Sequence, residues 1–405
     1  MSDIDRIIIV GGGPIGTLTG LRLARHGIPV TVLDRLDKPA EDHRAATLQP
    51  STLDLFAPMG LTDEIVARGL ISRLFQWRDR ATHEVVAEFD YAHLERDTAF
   101  PFVVQIEQHK TVGIALAAAA KEPLFRMIRP VDVTEVAQGT DWAEAKVTHE
   151  DGSVELHRGR WLVGADGGSS IVRKAMDVSF EGFTWPERFN IVTTTRDLEA
   201  AMGFRLRNYC AHPERWVSLM KVPGEHFEGL WRCVFPAKNE ETDEEVMSDA
   251  WIAARFAECL AQAGPCEIIH RNMYSVHQRV AGSFAKGRFA LAGDSAHVNN
   301  PIGGMGMNSG FQDALNLADK LAQIWKGSDP EPLPARYDRQ RRLTAIEYVQ
   351  AQSIANKRTL EERDPDVRAA NLENLRRTAA DPAQHREFVL RSSLIAMWRK
   401  AETIS

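Results

Sequence analysis

Three glycines, Gly11, Gly13 and Gly16, stand at the spacing G-x-G-x-x-G, and an acid, Asp34, follows 18 residues after the third (34 − 16). Residues of these types at this spacing can hold a dinucleotide. The first glycine permits a tight turn, the second lets a pyrophosphate approach the main chain, and the third lets a helix pack closely on a strand. The helix start supplies free N–H groups and partial positive charge for phosphate. A carboxylate at the end of the next strand can accept hydrogen bonds from a ribose. Each role needs its element. Arg6–Val10 is a β-branched apolar run, which reads as a buried strand. Leu18, Leu21, Leu23 and Ala24 lay an apolar stripe on a helix that stops at Gly27, and Val30–Leu33 is a second strand ending in Asp34. This fingerprint does not separate FAD from NAD.

Two further strands deliver glycine-rich turns. Trp161-Leu162-Val163 runs into Gly164-Ala165-Asp166-Gly167, followed by Ser170 and a helix carrying Arg173. Arg288–Ala292 runs into Gly293-Asp294, then Pro301, Gly303, Gly304, Gly306, Met307 and Asn308, and a long helix is expected from about Asn308 to Trp325. His297, just after Asp294, invites a role as base, but its place in the run favours packing or cofactor support.

Composition excludes other classes. The net charge of −7 offers no basic field for nucleic acid. No run of about 18 apolar residues is present, so no membrane span is expected. The four cysteines form no C-x-x-C pair, which suits a reduced, cytoplasmic chain, and the first strand begins too early to leave room for a signal peptide. No metal ligand set is expected.

The remaining chain reads as a frame. A helix is expected from Pro50 to about Met59, a hairpin over Leu74–Phe89, a strand at Phe102–Ile106, and an Ala-rich helix over Glu107–Ala120 with Gln108 at its start. Arg126–Val136 and Ala143–His149 read as a strand pair. From Glu181 to Lys286 the glycine motifs vanish, and tryptophans and arginines appear on strand-like runs. The expected class is α/β. A Rossmann-like nucleotide domain (1–73, 100–180, 287–330) interleaves with a smaller, mostly antiparallel domain (74–99, 181–286), and a helical segment (331–405) follows. The arginines of that last segment are offset by acids and read as solvated faces. Closing the substrate domain and forming a homodimer contact are both open roles for it.

The three glycine motifs, in this order across about 300 residues, resemble the single-component FAD-dependent aromatic hydroxylases of the para-hydroxybenzoate hydroxylase-like superfamily. The resemblance implies that Gly11, Gly13 and Gly16 cradle the FAD pyrophosphate and that Asp34 binds the adenosine ribose, where the family more often has Glu. It assigns Arg35, Arg44, Gln108 and Val133 to the same cofactor set. Asp166 would serve FAD and a passing nicotinamide cofactor, Asp294 the ribityl hydroxyls, and Pro301 with Gly303–Asn308 the isoalloxazine ring. Pro301 and Gly304 are the flavin-proximal candidates, and no general base can be named. The helix expected from about Asn308 would set its positive end against the negative charge of a reduced flavin.

The implied reaction takes a hydride from NADPH or NADH onto FAD. O2 then adds, and one oxygen passes from a flavin C4a-hydroperoxide to a small activated ring, a phenol or a hydroxylated N-heteroaromatic. A single dinucleotide fingerprint fits transient binding of the nicotinamide cofactor. Arg207, Tyr209, Arg215, Trp216 and Trp231 are the candidate substrate residues, with the arginines as partners for a carboxylate or phenolate. Three rivals stand beside this reading. A flavin halogenase would carry W-x-W-x-I-P, but Trp231–Pro236 lacks the second Trp. A flavin-linked reductase or saturase, and an FAD-loaded binding or sensor protein without turnover, are the others.

Overall fold

The computed structural model describes residues 4–41, 45–149 and 151–405. A six-stranded sheet runs in the order Ala285–Lys286, Phe289–Leu291, Trp161–Gly164, Ile7–Val10, Val30–Leu33, Phe125–Ile128. All pairings are parallel except that of the short edge strand Ala285–Lys286. Ile7, Ile8, Ile9, Leu162 and Val163 are fully buried, as strands of a parallel sheet must be when both faces are covered. The register sets Val10 beside Gly164 and Leu33, and Gly164 beside Leu291. The three glycine turns therefore leave adjacent strands at one level, the carboxyl edge where open α/β sheets bind ligands.

The expected strand Arg126–Val136 divides in two. Phe125–Ile128 joins the parallel sheet, whereas Asp132–Gln138 pairs with Ala143–Thr148 in a separate antiparallel sheet completed by Val154–Gly159. Pro130, between the two pieces, has no N–H to continue a ladder.

The second large sheet has eight strands, in the order His297–Val298, Ile268–Ala281, Phe180–Thr194, Leu230–Ala237, Val217–Val222, Arg207–Ala211, Leu74–Asp79, Val85–Asp90. Only Arg207–Ala211 and Leu74–Asp79 pair in parallel. Strand alternation gives it two different faces. One carries Phe75, Trp77, Tyr209, Trp216, Val234 and Phe189; the other carries Cys210, Val217, Leu219, Trp231, Cys233 and Phe235 and packs on the helix Asp249–Cys259.

The C-terminal helices close the first of these faces. Phe388 stacks on Phe89 at a centroid distance of 4.1 Å. Ion pairs fasten the same helices to the Leu74–Asp97 region: Arg368 to Asp79 at 2.8 Å, and Arg386 and Arg399 to the covered carboxylate of Asp97 at 2.7 and 2.9 Å. The reading of this segment's arginines as solvated fails at Arg341. It is fully buried, because Asp313 on the long helix Gly306–Trp325 supplies a buried carboxylate 2.7 Å from its Nε. No helix among the described residues is long and apolar enough to cross a membrane.

Phe89→Ala removes the ring that joins sheet and helices. It is expected to destabilise the protein by about 3–5 kcal/mol, the range for a buried Phe truncated to Ala, as measured by urea unfolding.

Candidate functional site

A cavity of about 620 Å³ lies between the carboxyl edge of the parallel sheet and the first face of the eight-stranded sheet. Gly11, Gly13, Asp34, Arg35, Gln108, Val133, Asp166, Asp294, Gly306, Met307 and Asn308 line one part. Pro301, Gly303 and Gly304 form its middle, and Arg207, Tyr209, Ser218, Met220, Val234, Tyr274 and Val276 its far wall. Arg44 lies outside the described residues.

The first turn is built as its spacing suggests. Gly11 adopts φ +100°, which favours glycine. A Cβ on Gly16 would sit 1.8 Å from the Gly11 carbonyl oxygen, so only glycine lets this helix pack so close. A Cβ on Gly13 would meet no protein atom within 4 Å, because Gly13 opens on the cavity. The Asp34 carboxylate accepts the N–H groups of Gly12 and of Leu36, the latter at 2.8 Å. It thereby ties the glycine turn to the second strand, and each oxygen keeps a lone pair for a further donor.

Two long helices aim uncapped N-termini at this cavity. Pro14–Arg25 and Gly306–Trp325 have no side-chain cap and no acid in the first turn. Their free N–H groups and dipoles favour anionic ligand groups. The Asp166 carboxyl accepts the Ile171 N–H at 2.8 Å, and burial pushes its pKa up. The Asn308 side chain is spent inside the protein. Its Oδ1 accepts from Gln49 N and Thr52 Oγ1, and its Nδ2 donates to Thr47 O and Gly304 O. Only the backbone of Asn308 remains for a ligand.

At the far wall Arg207 is buried, and its donors go to neutral acceptors: Tyr209 Oη at 2.8 and 3.0 Å, Tyr91 Oη at 2.9 Å and Gly303 O at 3.2 Å. Among the described residues no carboxylate lies within ion-pair distance of it. The strand register places Arg207 against Met220 and Tyr209 against Ser218, so all four share the cavity face. The other three substrate candidates do not reach it. Trp231 falls on the opposite face because it is three residues from Val234 in the same strand. Trp216 shares the face but is fully buried against Phe189, beyond the cavity. Arg215, at the strand turn, pairs with Glu258 at 3.1 Å.

Residues 5–352 match the protein family described as FAD binding domain. The chain is 30% identical over 393 residues to the para-nitrophenol 4-monooxygenase of Pseudomonas sp. (strain WBC-3), covering 96% of each chain. It is 31% identical over 366 residues to the 6-hydroxy-3-succinoylpyridine 3-monooxygenase of Pseudomonas putida (strain DSM 28022 / S16), covering 90% and 91%. The crystal structure of p-nitrophenol 4-monooxygenase from Pseudomonas putida DLL-E4 superposes with a TM-score of 0.90 at 29% identity, covering 96% and 97%. The chain belongs to the FAD-dependent aromatic hydroxylases.

It is an oxidoreductase, and FAD is its cofactor. The residues present fit that group: an open backbone cradle at Gly13, two positive helix ends for the diphosphate and the flavin, and carboxylates at Asp34 and Asp294 for hydroxyl groups.

Asp313, which gathers the groups around the third motif, is absent from the sequence analysis. Asp313 is fully buried and accepts from Gly293 N at 3.1 Å, His297 Nε2 at 2.8 Å and Arg341 Nε at 2.7 Å. His297 stacks on Phe284 and does not line the cavity, so its place is one of support. The available signal was an acid at position eight of a helix whose neighbours Ala314, Leu315 and Leu317 are all core residues. Tyr91 was also missed, since nothing local marks a tyrosine after a hairpin as a partner of Arg207.

Burial alone would raise the Asp313 pKa, but His297 and Arg341 more than offset it and hold the carboxyl below its usual range. Its stabilising contribution is therefore complete above the ordinary Asp value of about 4 and is lost as the pH falls through the lower folded-state value. Asp313→Asn leaves Arg341 buried without a counter-charge. It is expected to cost about 3–5 kcal/mol in unfolding free energy, with FAD released at a lower temperature in a thermal scan that follows flavin fluorescence.

Proposed function

We propose that this enzyme hydroxylates a small phenol or hydroxylated N-heteroaromatic, with NADPH or NADH as transient reductant and O2 as oxidant. The observation that carries the reading is the continuity of one cavity from the Gly13 cradle to the buried, uncompensated Arg207. The two relatives above, named for action on a nitrophenol and on a hydroxypyridine, support the substrate class.

FAD, when bound, supplies the redox chemistry with the nicotinamide cofactor and O2. The chain's residues do the rest. Gly11 and Gly13, with the Pro14–Arg25 helix start, take the diphosphate; Asp34 takes the adenosine ribose; Arg35, Gln108, Val133, Asp166 and Asp294 surround the remaining polar part. Pro301, Gly304 and the backbone of Gly306–Asn308 face the flavin ring, where the helix dipole favours negative charge. Met220, Val234, Val276 and Ile302 exclude water from the reacting ring.

Arg207 orients the substrate. A buried cation without a counter-ion is costly, and an anionic or electron-rich ring oxygen relieves that cost. Arg207 holds the Tyr209 hydroxyl as an acceptor, which leaves the Tyr209 O–H to donate toward the cavity. We place the division between cofactor and substrate domains at the expected boundaries. We also infer a cytoplasmic setting, which the four free thiols support.

The direct test is aerobic turnover with a panel of phenols, hydroxybenzoates and hydroxypyridines. One hydroxylated product per NAD(P)H and per O2 supports the reading; ligand-independent NAD(P)H oxidation yielding only peroxide counts against it. Arg207→Met is expected to raise the substrate KM by about tenfold or more, the scale of one lost charge-assisted hydrogen bond, with FAD content retained. Arg215→Ala, remote from the cavity, is expected to leave kcat/KM within about twofold of wild type.

A further inference from the structure

Gln108 lines the cofactor part of the cavity, whereas Glu107 before it and Lys110 two residues after it contact a loop of the other sheet. Glu107, at the residue before the helix Gln108–Ala119, and Lys110 in the first turn reach the loop joining Val217–Val222 to Leu230–Ala237. Glu107 Oε1 accepts the Gly224 N–H at 2.8 Å, and Lys110 Nζ donates to the Gly224 carbonyl at 2.6 Å. Lys110 Nζ also lies 3.1 Å from Glu107 Oε2, and the two side chains are only 11% and 5% exposed. One charge pair thus engages both backbone polar groups of a single loop residue. The strands that meet in this loop are those that place Ser218, Met220 and Val234 in the far wall.

From this geometry we propose that Glu107 and Lys110 are positioning residues: they form a strut that fixes Gln108 in the cofactor cavity by anchoring it to the substrate-side hairpin loop. The inference rests on the reading of the cavity as a shared cofactor and substrate site. It adds that the packing of the far wall is transmitted to the cofactor through the Gly224 loop.

Three features support the strut over an incidental contact. Gly224 has φ +78°, a conformation that favours glycine, and a Cβ there would fall 2.5–2.7 Å from the Glu228 carboxylate. Glu228 itself accepts the His226 N–H within that loop at 2.8 Å. Burial raises the Glu107 pKa, but backbone N–H groups of Glu107 and Gly224 and the Lys110 ammonium outweigh it and keep the carboxyl below its usual range. The Glu107 carboxylate is therefore ionised at neutral pH.

The test is a double-mutant cycle read by FAD binding to the apoprotein, followed by flavin fluorescence, with no substrate present. Gly224→Ala and Lys110→Met are each expected to raise the FAD dissociation constant about fivefold. The double variant is expected to be no weaker than the worse single, because both break one strut. Lys110→Arg is expected to restore most of the affinity. Gln108→Ala is expected to weaken FAD and to abolish the further effect of Lys110→Met. Should Gly224→Ala fail to fold, Glu107→Gln replaces it, since it removes the charge of the pair from the helix side and leaves the loop backbone untouched. Single variants that leave FAD affinity unchanged would overturn the proposal, as would effects that simply multiply in the double variant. The readout is binding, so failure here leaves the hydroxylase reading intact. Absence of phenol-dependent turnover in the wild type would leave the cycle readable.

Discussion

Asp313 holds a buried negative charge on which three parts of the chain converge: the Gly293 N–H, the His297 ring and the Arg341 guanidinium. A buried carboxylate is tolerated only when paired and hydrogen-bonded, and this one is both. The consequence reaches the cavity. Gly293 precedes Asp294, and the helix that carries Asp313 begins at Gly306, so one residue fixes both sides of the loop that lines the cavity. Arg341 brings the C-terminal helices into the same arrangement, which makes them part of the cofactor site's support.

The second constraint is close approach. The parallel sheet brings three turns to one edge, and the first helix can meet that edge only because Gly16 carries no side chain. The long helix approaches in the same way: a Cβ on Gly310 would lie 3.1 Å from the Gly293 Cα. Close packing on this side and an open cradle at Gly13 on the other follow from one glycine pattern. The eight-stranded sheet then supplies what the cofactor edge lacks, a wall of apolar residues with one buried cation.

The cofactor half of this design was legible in the chain because it is local. Each motif is a strand, a turn and a helix start in direct succession, so residue type and spacing suffice. The substrate half is set by pairing between distant strands. Arg207 and Tyr209 face the cavity while Trp231 does not, and the difference is strand parity, which no tryptophan or arginine announces. Trp216 has the right parity but lies just before the strand Val217–Val222, against Phe189. Arg341 looked like one more surface arginine because its partner, Asp313, is 28 residues away on another helix. Arg126–Val136 reads as one strand straight through Pro130, which lacks the N–H to continue a ladder, and assigning each piece to its sheet needed the register.

The central claim is that the flavin and the aromatic ring share one continuous cavity divided only by the Pro301–Gly304 turn. The most direct measurement is a titration of the FAD-loaded, oxidised enzyme with 4-nitrophenol and with a hydroxypyridine, following the visible flavin bands by difference spectroscopy and binding independently by calorimetry. The account predicts a saturable flavin spectral shift whose midpoint matches the calorimetric dissociation constant, and loss of both in Arg207→Met. Stoichiometric binding with an unperturbed flavin spectrum would contradict it, because the ligand would then occupy a site away from the cofactor.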